Sequence, residues 1–534
     1  MSLPPLTGSG RGYSIAGVAL LGVTQAVCAG AAAFATRDLF AALHNGGAAP
    51  IGAVALLLGS GFAMVAARIA ARVLAEDLGQ RYANALRSAL YKHLSGTPAR
   101  LLQNRRLGAL GLRFVGDLSA ARLWIGNGLC RLIAAGAILP GAALALFMLS
   151  PALALTAFTP LVIGLAVAAI TAWRLEARHR DLRSKRASLA ILSLERLESV
   201  AQLDLIGRTR TELKLLKKRG EGLRRSAVAR ARAVAWVTGL MDTFIALAGA
   251  VLFLTAFTTS AAPAQLAAAL AMLAILAQPL RELAHVWDRR CSWIVARDKC
   301  ERVFNDPTIS TRTATSARSK NRTAPIIRLE KLLIPPLHAL NEEVQSGERI
   351  ALKGGSSDHH SHLLSVLAGM DAPPSGAVRL MSPDTRGAAN RDEYRFGYIS
   401  PEPLILRGSF RRALCLAAQK RPADSSLERL VEAFGLGETL RRVGGWDGRV
   451  ESRGRNLLRY ERRRLQLAQV ALQAPNVLIL DAPRLDFGPD GALLVLRLFE
   501  LCRATTLFAT EDATLHAAAD RIWRLDEKKS RFRS

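Results

Sequence analysis

Cysteine is scarce in this sequence and lacks the spacing that metal sites and disulfide frameworks need. No CxxC pair occurs, which argues against a zinc ribbon and against a disulfide-stabilised fold. The first apolar run is as long as a membrane span, follows little positive charge and shows no convincing cleavage site for a signal peptide. We therefore expect a retained helix. The cysteines are Cys28, Cys130, Cys291, Cys300, Cys415 and Cys502.

Acidic residues are in deficit, since 43 Asp and Glu stand against 72 Lys and Arg, which gives a net charge of +29. In a soluble protein this balance suggests a nucleic-acid partner. Half of the residues are hydrophobic and the mean hydropathy is +0.18, which is high for a soluble protein. Membrane proteins concentrate Lys and Arg in cytoplasmic loops. The location of the charge therefore decides between the two classes.

Six apolar segments are each close to the roughly 17 to 25 residues that cross a bilayer. The long stretches 68–131 and 174–232 between them carry most of the basic residues of positions 1–304, whereas the other connections are short. The positive-inside rule places both long loops and both termini in the cytoplasm. We expect a multi-pass protein of the bacterial inner membrane, in contact with the lipid bilayer and without a nucleic-acid partner. The segments are 15–36, 51–67, 132–149, 152–173, 233–258 and 262–279.

The two long loops are far longer than a connection requires. Each contains a short turn-rich segment at its middle, Leu107 to Leu118 and Glu195 to Arg208. Either segment would serve as a docking helix for a cytoplasmic domain or as the solvated tip of a helical hairpin.

Charged residues also occur within or at the ends of the apolar segments. Asp242 in the fifth segment is a functional candidate as an intramembrane carboxylate, or a hydrated residue paired with a nearby Arg. Arg68, Arg72 and Arg131 lie at the inner ends of segments. They would line a cavity that prefers anions or reach lipid phosphates.

The second half of the chain has a different pattern. Residues 305–325 are rich in Ser, Thr and Arg and predict a linker. After it, short apolar strands alternate with helical stretches, which indicates an α/β nucleotide-binding fold.

One strand, Ile350 to Leu352, runs into a glycine-rich turn and then a helix predicted to begin near Ser361, the order found in a phosphate-binding P-loop. Counted from Gly354 on the pattern GxxxxGK[ST], the second Gly is His359, the Lys is His360, and the hydroxyl residue is Ser361. A side chain at the second Gly crowds the phosphates, and a mostly neutral imidazole replaces a fixed positive charge.

Together, these features resemble an ABC exporter half-transporter over nearly the whole chain. The resemblance implies an α-helical six-span membrane domain at 1–304, a linker at 305–325, and an α/β P-loop-like ATP-binding cassette at 326–534. It also makes the two loop helices coupling helices.

The cassette departs from the family pattern at its nucleotide contacts. The Walker B Asp is present as Asp481, but the catalytic Glu position is Ala482 and the switch His position is Glu511. The Q-loop Gln falls at Pro401, and LLIPPLHAL, residues 332–340, lacks the aromatic that stacks on adenine. The signature LSGGQ is replaced by Leu457, Leu458, Arg459, Tyr460 and Glu461.

From this pattern we expect a transport protein or transporter subunit, as a homodimer or as a heterodimer with another half-transporter. Its degenerate cassette should neither hydrolyse ATP nor complete a partner's site, and no cofactor is expected unless the altered loop still binds ATP and magnesium. The alternatives are a non-transporting membrane scaffold or regulator, and an ion-gradient-driven carrier that uses Asp242.

Two basic or metal-like clusters have simpler explanations. The cluster of His359, His360 and His362 suggests a zinc site, but neighbouring residues rarely share a tetrahedral centre, so drift in a loop freed from nucleotide is favoured. Residues 462–464, three consecutive arginines, suggest RNA binding, and a solvated helix face is favoured instead.

Overall fold

The computed structural model describes residues 3–8, 10–103, 111, 113–172, 175–309, 327–380, 395–418, 420–482, 486–488 and 490–525. Within these ranges the chain forms two compact units. The first comprises residues 1–95 and 103–306, and the second comprises 96–102 and 307–534. Most of the predicted linker, from residue 310 to residue 325, lies outside the described residues.

The first unit is helical, because its long apolar runs satisfy their backbone hydrogen bonds internally only as helices when they lie in lipid. Six helices among the described residues are long and apolar enough to cross a membrane. They contain four of the six predicted segments in full and overlap the other two, 152–173 and 262–279, over all but one or two residues at one end. The predicted multi-pass architecture is thus confirmed. The helices before the linker are α1 (Arg11–His44), α2 (Ile51–Ser95), α3 (Ala99–Gln103), α4 (Leu118–Arg122), α5 (Cys130–Leu149), α6 (Pro151–Ala172), α7 (Leu175–Glu198), α8 (Val200–Leu205), α9 (Thr209–Thr259) and α10 (Pro263–Phe304). All belong to the first unit except α3, whose residues 99–102 belong to the second.

Several of these helices are longer than a membrane is thick. At 1.5 Å per residue, the 51 residues of α9 extend about 76 Å, whereas the hydrocarbon core measures about 30 Å. Two wider π-helical turns, Arg113–Asp117 and Leu123–Leu129, flank α4 and precede α5. Such turns are rare and frequently occur at functional sites.

The second unit is built on a parallel sheet of five strands in the order β10-β3-β9-β8-β5. Its central strands are buried on both faces, as continuous apolar runs such as VLILD require. Strands β1, β2 and β4 form a separate antiparallel sheet of three strands in the order β2-β1-β4. The strands are β1 (Ile327–Leu333), β2 (Glu343–Val344), β3 (Arg349–Lys353), β4 (Ser375–Leu380), β5 (Phe396–Ile399), β6 (Gly408–Ser409), β7 (Arg449–Val450), β8 (Val477–Asp481), β9 (Thr505–Ala509) and β10 (Arg521–Arg524).

Helices flank this sheet and two apolar cores fill the unit. One core includes Phe410, Phe434 and Phe499, and the other includes Ile350 and Leu364. Parallel strands place the carboxyl ends of β3, β5 and β8 at one edge, where ligands bind in open α/β sheets. The helices are α11 (Ser357–Leu367), α12 (Phe410–Leu414), α13 (Asp424–Ala433), α14 (Gly437–Val443), α15 (Arg459–Gln473), α16 (Gly491–Cys502) and α17 (Ala513–Ala517).

All six cysteines have little access to solvent. The four in the first unit are buried, and Cys415 and Cys502 in the second are partly buried. Burial raises the pKa of Cys415, and it raises the pKa of Cys502 to about 11. The thiols of Cys415 and Cys502 are therefore mostly un-ionised at neutral pH.

Candidate functional site

The loop after β3 depends on glycine and on a serine cap. Gly354 has a φ of 84°, in the left-handed region that favours glycine. Ser356 Oγ accepts from the N–H of His359 at 3.3 Å, and the Ser356 N–H donates to His359 Nδ1 at 3.2 Å. This reciprocal cap starts α11 at Ser357. The predicted start near Ser361 was wrong, because Ser356 caps the helix and lets it begin four residues earlier.

The two residues that flank His359 act on the loop itself. His360 Nε2 lies 2.5 Å from the carbonyl oxygen of Gly354. Because a carbonyl only accepts, Nε2 carries the proton and donates it to the loop's own backbone. Asp358 stands in the first turn of α11. Its carboxylate therefore complements the positive end of the helix dipole, which a P-loop offers to phosphate.

Asp481 at the end of β8 binds two hydroxyl groups. Ser361 Oγ donates to Oδ1 at 2.9 Å, and the Tyr398 hydroxyl donates to Oδ2 at 3.2 Å. Tyr398 reaches this carboxylate because β5 pairs with β8, with Tyr398 opposite Ile479. Asp481 is only 2% exposed, and burial raises its pKa. Burial, together with the Asp481 charge, also raises the pKa of Tyr398.

The raised pKa of Asp481 predicts a pH-dependent gain in stability for Asp481→Asn. The folded state binds the carboxyl proton more tightly than the unfolded state, so wild-type stability falls as pH rises from the ordinary value of 3.8 through the folded pKa. The amide carries no charge and avoids this loss. We expect the melting temperature of the variant to exceed that of wild type at pH 7 and to approach it at pH 4. Asp447→Asn, at an exposed carboxylate, is the control, and a pH-independent difference would contradict the argument.

The segment before α15 is anchored by a buried glutamate. Glu461 is 3% exposed. Its carboxylate accepts from the backbone N–H of Leu458 at 2.7 Å and from Thr439 Oγ1 at 2.9 Å, and it pairs with the guanidinium of Arg442. These contacts cap the helix and join it to α14. The structure thus gives Glu461 a packing role within its own chain.

The two residues at the start of α15 are also held in place. Arg459 pairs with Asp486 at 2.6 Å. Arg464 lies over the ring of Tyr460, with its guanidinium carbon 5.2 Å from the ring centroid, and donates to the carbonyl of Phe487 at 2.8 Å. The first two residues of α15 therefore present large side chains at the surface, each in contact with a neighbouring charged side chain.

Arg463 corrects the prediction that residues 462–464 form a solvated face. It is only 5% exposed, its guanidinium donates to the carbonyl of Ser400, and it lies over the ring of Phe487 at 5.4 Å. The prediction was wrong for this residue because both partners lie far away in the sequence.

The three histidines near the loop differ in their surroundings. His359 bonds to the cap and His360 to the loop, whereas burial, with a smaller effect from nearby Arg100, lowers the pKa of His362. Among the described residues no group of three His, Cys, Asp or Glu side chains is arranged to hold a metal ion.

Comparison with known proteins identifies both units. Residues 19–280 match the family described as the ABC transporter transmembrane region, and residues 337–484 match the family described as ABC transporter. The chain belongs to the ABC transporters. Its order, with a membrane domain of six apolar helices before one cassette, is that of an exporter half-transporter.

Relatives of this transporter are bacterial and distant. A lipoprotein-releasing system ATP-binding protein of Xanthomonas axonopodis is 28% identical over 216 residues, which cover 38% of this chain and 84% of the relative. A multidrug efflux ATP-binding/permease protein of Mycobacterium bovis is 27% identical over 266 residues, which cover 46% of this chain and 21% of the relative. The solved structure of a bacterial Atm1-family ABC exporter with ATP bound has the same fold, with a TM-score of 0.78 and 16% identity, covering 97% of this chain and 94% of that one.

The residues predicted at the remaining family motif positions differ in burial. Ala482 is completely buried in the core of the second unit, and Glu511 and Pro401 are exposed. In the LLIPPLHAL segment, Leu332, Ile334 and Leu337 are buried in the core that includes Ile350. These three side chains are therefore packed inside the unit.

The first long loop of the transporter contains a short helix, α3, which follows Pro98 and was not predicted. The predicted segment, Leu107 to Leu118, lies partly outside the described residues, at 107–110 and 112, so the docking role assigned to it stays a prediction. A Gly-Thr-Pro sequence at 96–98 ends α2 and starts α3, since Gly terminates helices and Pro favours their first position. This signal could have located the helix. The second short helix, α8 (Val200–Leu205), falls within the predicted segment.

Residues 96–102 form part of the second unit. The backbone N–H of Ala99 donates to the Met370 carbonyl at 2.9 Å, and that of Arg100 donates to Asp371 Oδ1 at 3.0 Å. The other carboxylate oxygen accepts from Ser365 Oγ at 2.7 Å. A buried aspartate thus caps the start of α3, and the Arg100 guanidinium donates to the backbone carbonyl of Asp358 in the P-loop-like turn at 3.0 Å.

Asp242 has a charged partner within the first unit. Its Oδ1 lies 2.5 Å from Arg281 Nε, and both side chains are about half exposed. The described structure therefore matches the second of the two interpretations of Asp242, a hydrated carboxylate paired with an Arg.

Proposed function

We propose that this ABC exporter-like protein is a transporter subunit whose cassette does not hydrolyse ATP and serves as a structural and dimerisation domain. The observation that carries the proposal is the internal bonding of the loop. His360 donates to Gly354, and both oxygens of Asp481 are engaged by Ser361 and Tyr398. The polar groups of the site are therefore paired with one another.

The residues present do not fit a magnesium nucleotide. Magnesium prefers carboxylate and hydroxyl oxygens in near-octahedral geometry, but Ser361 and Asp481 are bonded directly to each other at 2.9 Å. No lysine stands at His360 to meet the phosphates, and the dipole of α11 already faces the carboxylate of Asp358. Binding would have to break these contacts without gaining the usual ones.

Loss of the general base supports the same proposal. Ala482 offers a buried methyl group where the family has a glutamate, and Glu511 replaces the switch histidine. Loss of a general base alone typically lowers a rate by roughly 10² to 10⁴. We infer that the cassette would turn over nucleotide negligibly even if it bound some.

The signature segment supports a subunit that leaves its partner's site incomplete. Two glycines of the family motif approach the γ-phosphate closely, whereas here Arg459 is tied to Asp486 and Tyr460 is covered by Arg464. A β-carbon and a long side chain at each position obstruct such an approach. We propose a homodimer or a heterodimer with another half-transporter, with both termini cytoplasmic in a bacterial inner membrane, as the distribution of basic loops favours.

The test is ATP turnover by the full chain in nanodiscs, compared with Asp481→Asn. We expect equal, background-level rates and no saturable ATP binding in the millimolar range. In sealed vesicles, flux that appears only with an intact partner half-transporter would support a subunit. Turnover well above that of Asp481→Asn would refute the proposal, and absence of flux with a partner present would favour the scaffold.

A further inference from the structure

A cavity between α1, α2, the second π-helical turn, α5 and α10 is lined by charge on one side and by apolar groups on the other. Its volume is about 80 Å³, and it opens to the surface on one side. The apolar wall includes Val18, Ala134 and Ile138, and the polar side carries three arginines. A cavity with this division suits a ligand with a polar head and an apolar body.

Positive charge exceeds negative charge in this cavity. Arg68, Arg72 and Arg131 share it with a single carboxylate, Glu282. Glu282 lies 3.8 Å from Arg72 and 3.6 Å from Arg131, beyond the roughly 2.7 to 2.9 Å of a charge-assisted hydrogen bond. Two positive charges are left uncompensated by the lining residues, and two guanidinium groups retain donors for another anion.

Three amide side chains add hydrogen-bonding capacity. Gln25 is only 6% exposed and lines the cavity. Gln278 accepts from Arg68 at 3.0 Å and donates to Glu282 at 3.2 Å. Asn127 also lines the cavity.

Close backbone packing holds this lining together. Gly126 belongs to the π-helical turn Leu123–Leu129, and a β-carbon there would lie 2.6 Å from the carbonyl oxygen of Ala75. Glycine therefore lets the turn contact α2 directly, which brings Asn127 and Arg131 towards Arg72. A π-helical turn beside an uncompensated charge cluster is a second, independent sign of a functional site.

We propose that this cavity binds an organic anion, with its carboxylate or phosphate head at Arg68, Arg72 and Arg131 and its apolar body against Val18 and Ile138. Guanidinium groups bind both kinds of head in the same fork geometry. The inference rests on the proposed transport function only in treating this anion as cargo. The binding itself is independent of the cassette.

The experiment measures binding of octyl phosphate to the full chain in phosphatidylcholine nanodiscs by titration calorimetry. Octyltrimethylammonium, which has the same chain and the opposite charge, is the comparison ligand. We expect binding of octyl phosphate only, weakened about tenfold or more by Arg72→Gln or Arg131→Gln and also weakened by Gln25→Leu. Glu282→Gln should tighten it, because the competing carboxylate is removed.

Arg37→Gln is the matched control, since Arg37 pairs with Asp38 and lies outside the cavity lining; it should leave affinity unchanged. Repeating the titration in nanodiscs that contain phosphatidylglycerol distinguishes the two sources of the anion. If the anionic lipid weakens binding of octyl phosphate, the site binds a lipid headgroup. If the affinity for octyl phosphate is unchanged, the site binds a free organic anion. Equal binding of both octyl ligands, or weaker binding by Glu282→Gln, would overturn the proposal. This result is separate from ATP turnover, so either proposal can fail alone.

Discussion

Replacing His359 with Gly and His360 with Lys in one variant should raise ATP affinity about a hundredfold. The glycine removes the side chain that crowds the loop, and the lysine provides a fixed charge for the phosphates. Replacing His360 also removes the hydrogen bond that its imidazole makes to the Gly354 carbonyl in the unaltered chain. Each change is worth roughly 1 to 3 kcal/mol, and every 1.4 kcal/mol is tenfold in affinity. Binding of a fluorescent ATP analogue to the full chain measures the change.

Hydrolysis should remain at background in this variant, because Ala482 still provides no base. His338→Lys, which adds the same charge at an exposed position, should leave affinity unchanged. His360→Lys alone should give a partial gain, since His359 still crowds the loop. If the double variant melts normally and binds no better than wild type, the two histidines do not limit binding.

Glu461→Ala should destabilise the start of α15 by about 3 kcal/mol. The buried carboxylate accepts from Leu458, Thr439 and Arg442, and removing one partner of a buried charged network leaves the others unsatisfied. Hydrogen exchange of the α15 amides measures this local opening directly, which suits a chain of two units that need not unfold together.

Glu428→Ala on α13 is the control, because Glu428 is exposed and surface substitutions usually change stability by less than about 0.5 kcal/mol. The loss of stability in Glu461→Gln should lie between the losses in Glu461→Ala and Glu428→Ala, since the amide retains one acceptor. An effect of Glu461→Ala no larger than that of the control would show that the contacts contribute little to holding this helix.

The sequence predicted the features that depend on local pattern. Apolar runs of membrane length located the six spans, and continuous apolar runs such as Val477–Asp481 located the sheet strands, because both signals are contained in short stretches of chain. The match to two ABC transporter families confirmed the fold.

The features that were missed depend on residues far apart in sequence. Tyr398 and Asp481 meet only because β5 pairs with β8 in one register, 83 positions apart. Arg463 is buried by Ser400 and Phe487, which no local arginine run reveals. Helix α3 is a different case, because the Gly-Thr-Pro sequence at 96–98 that starts it is a local signal.

The six shielded thiols have a practical consequence for following this transporter in motion. Thiolate, not thiol, reacts with maleimides, and burial raises the pKa of Cys415 and Cys502 while it encloses the four cysteines of the first unit. A single cysteine introduced on an exposed helix should therefore take up a spin label or dye selectively, with the native residues left in place. Distances between two such labels in a dimer could then be recorded during transport on an otherwise unaltered chain.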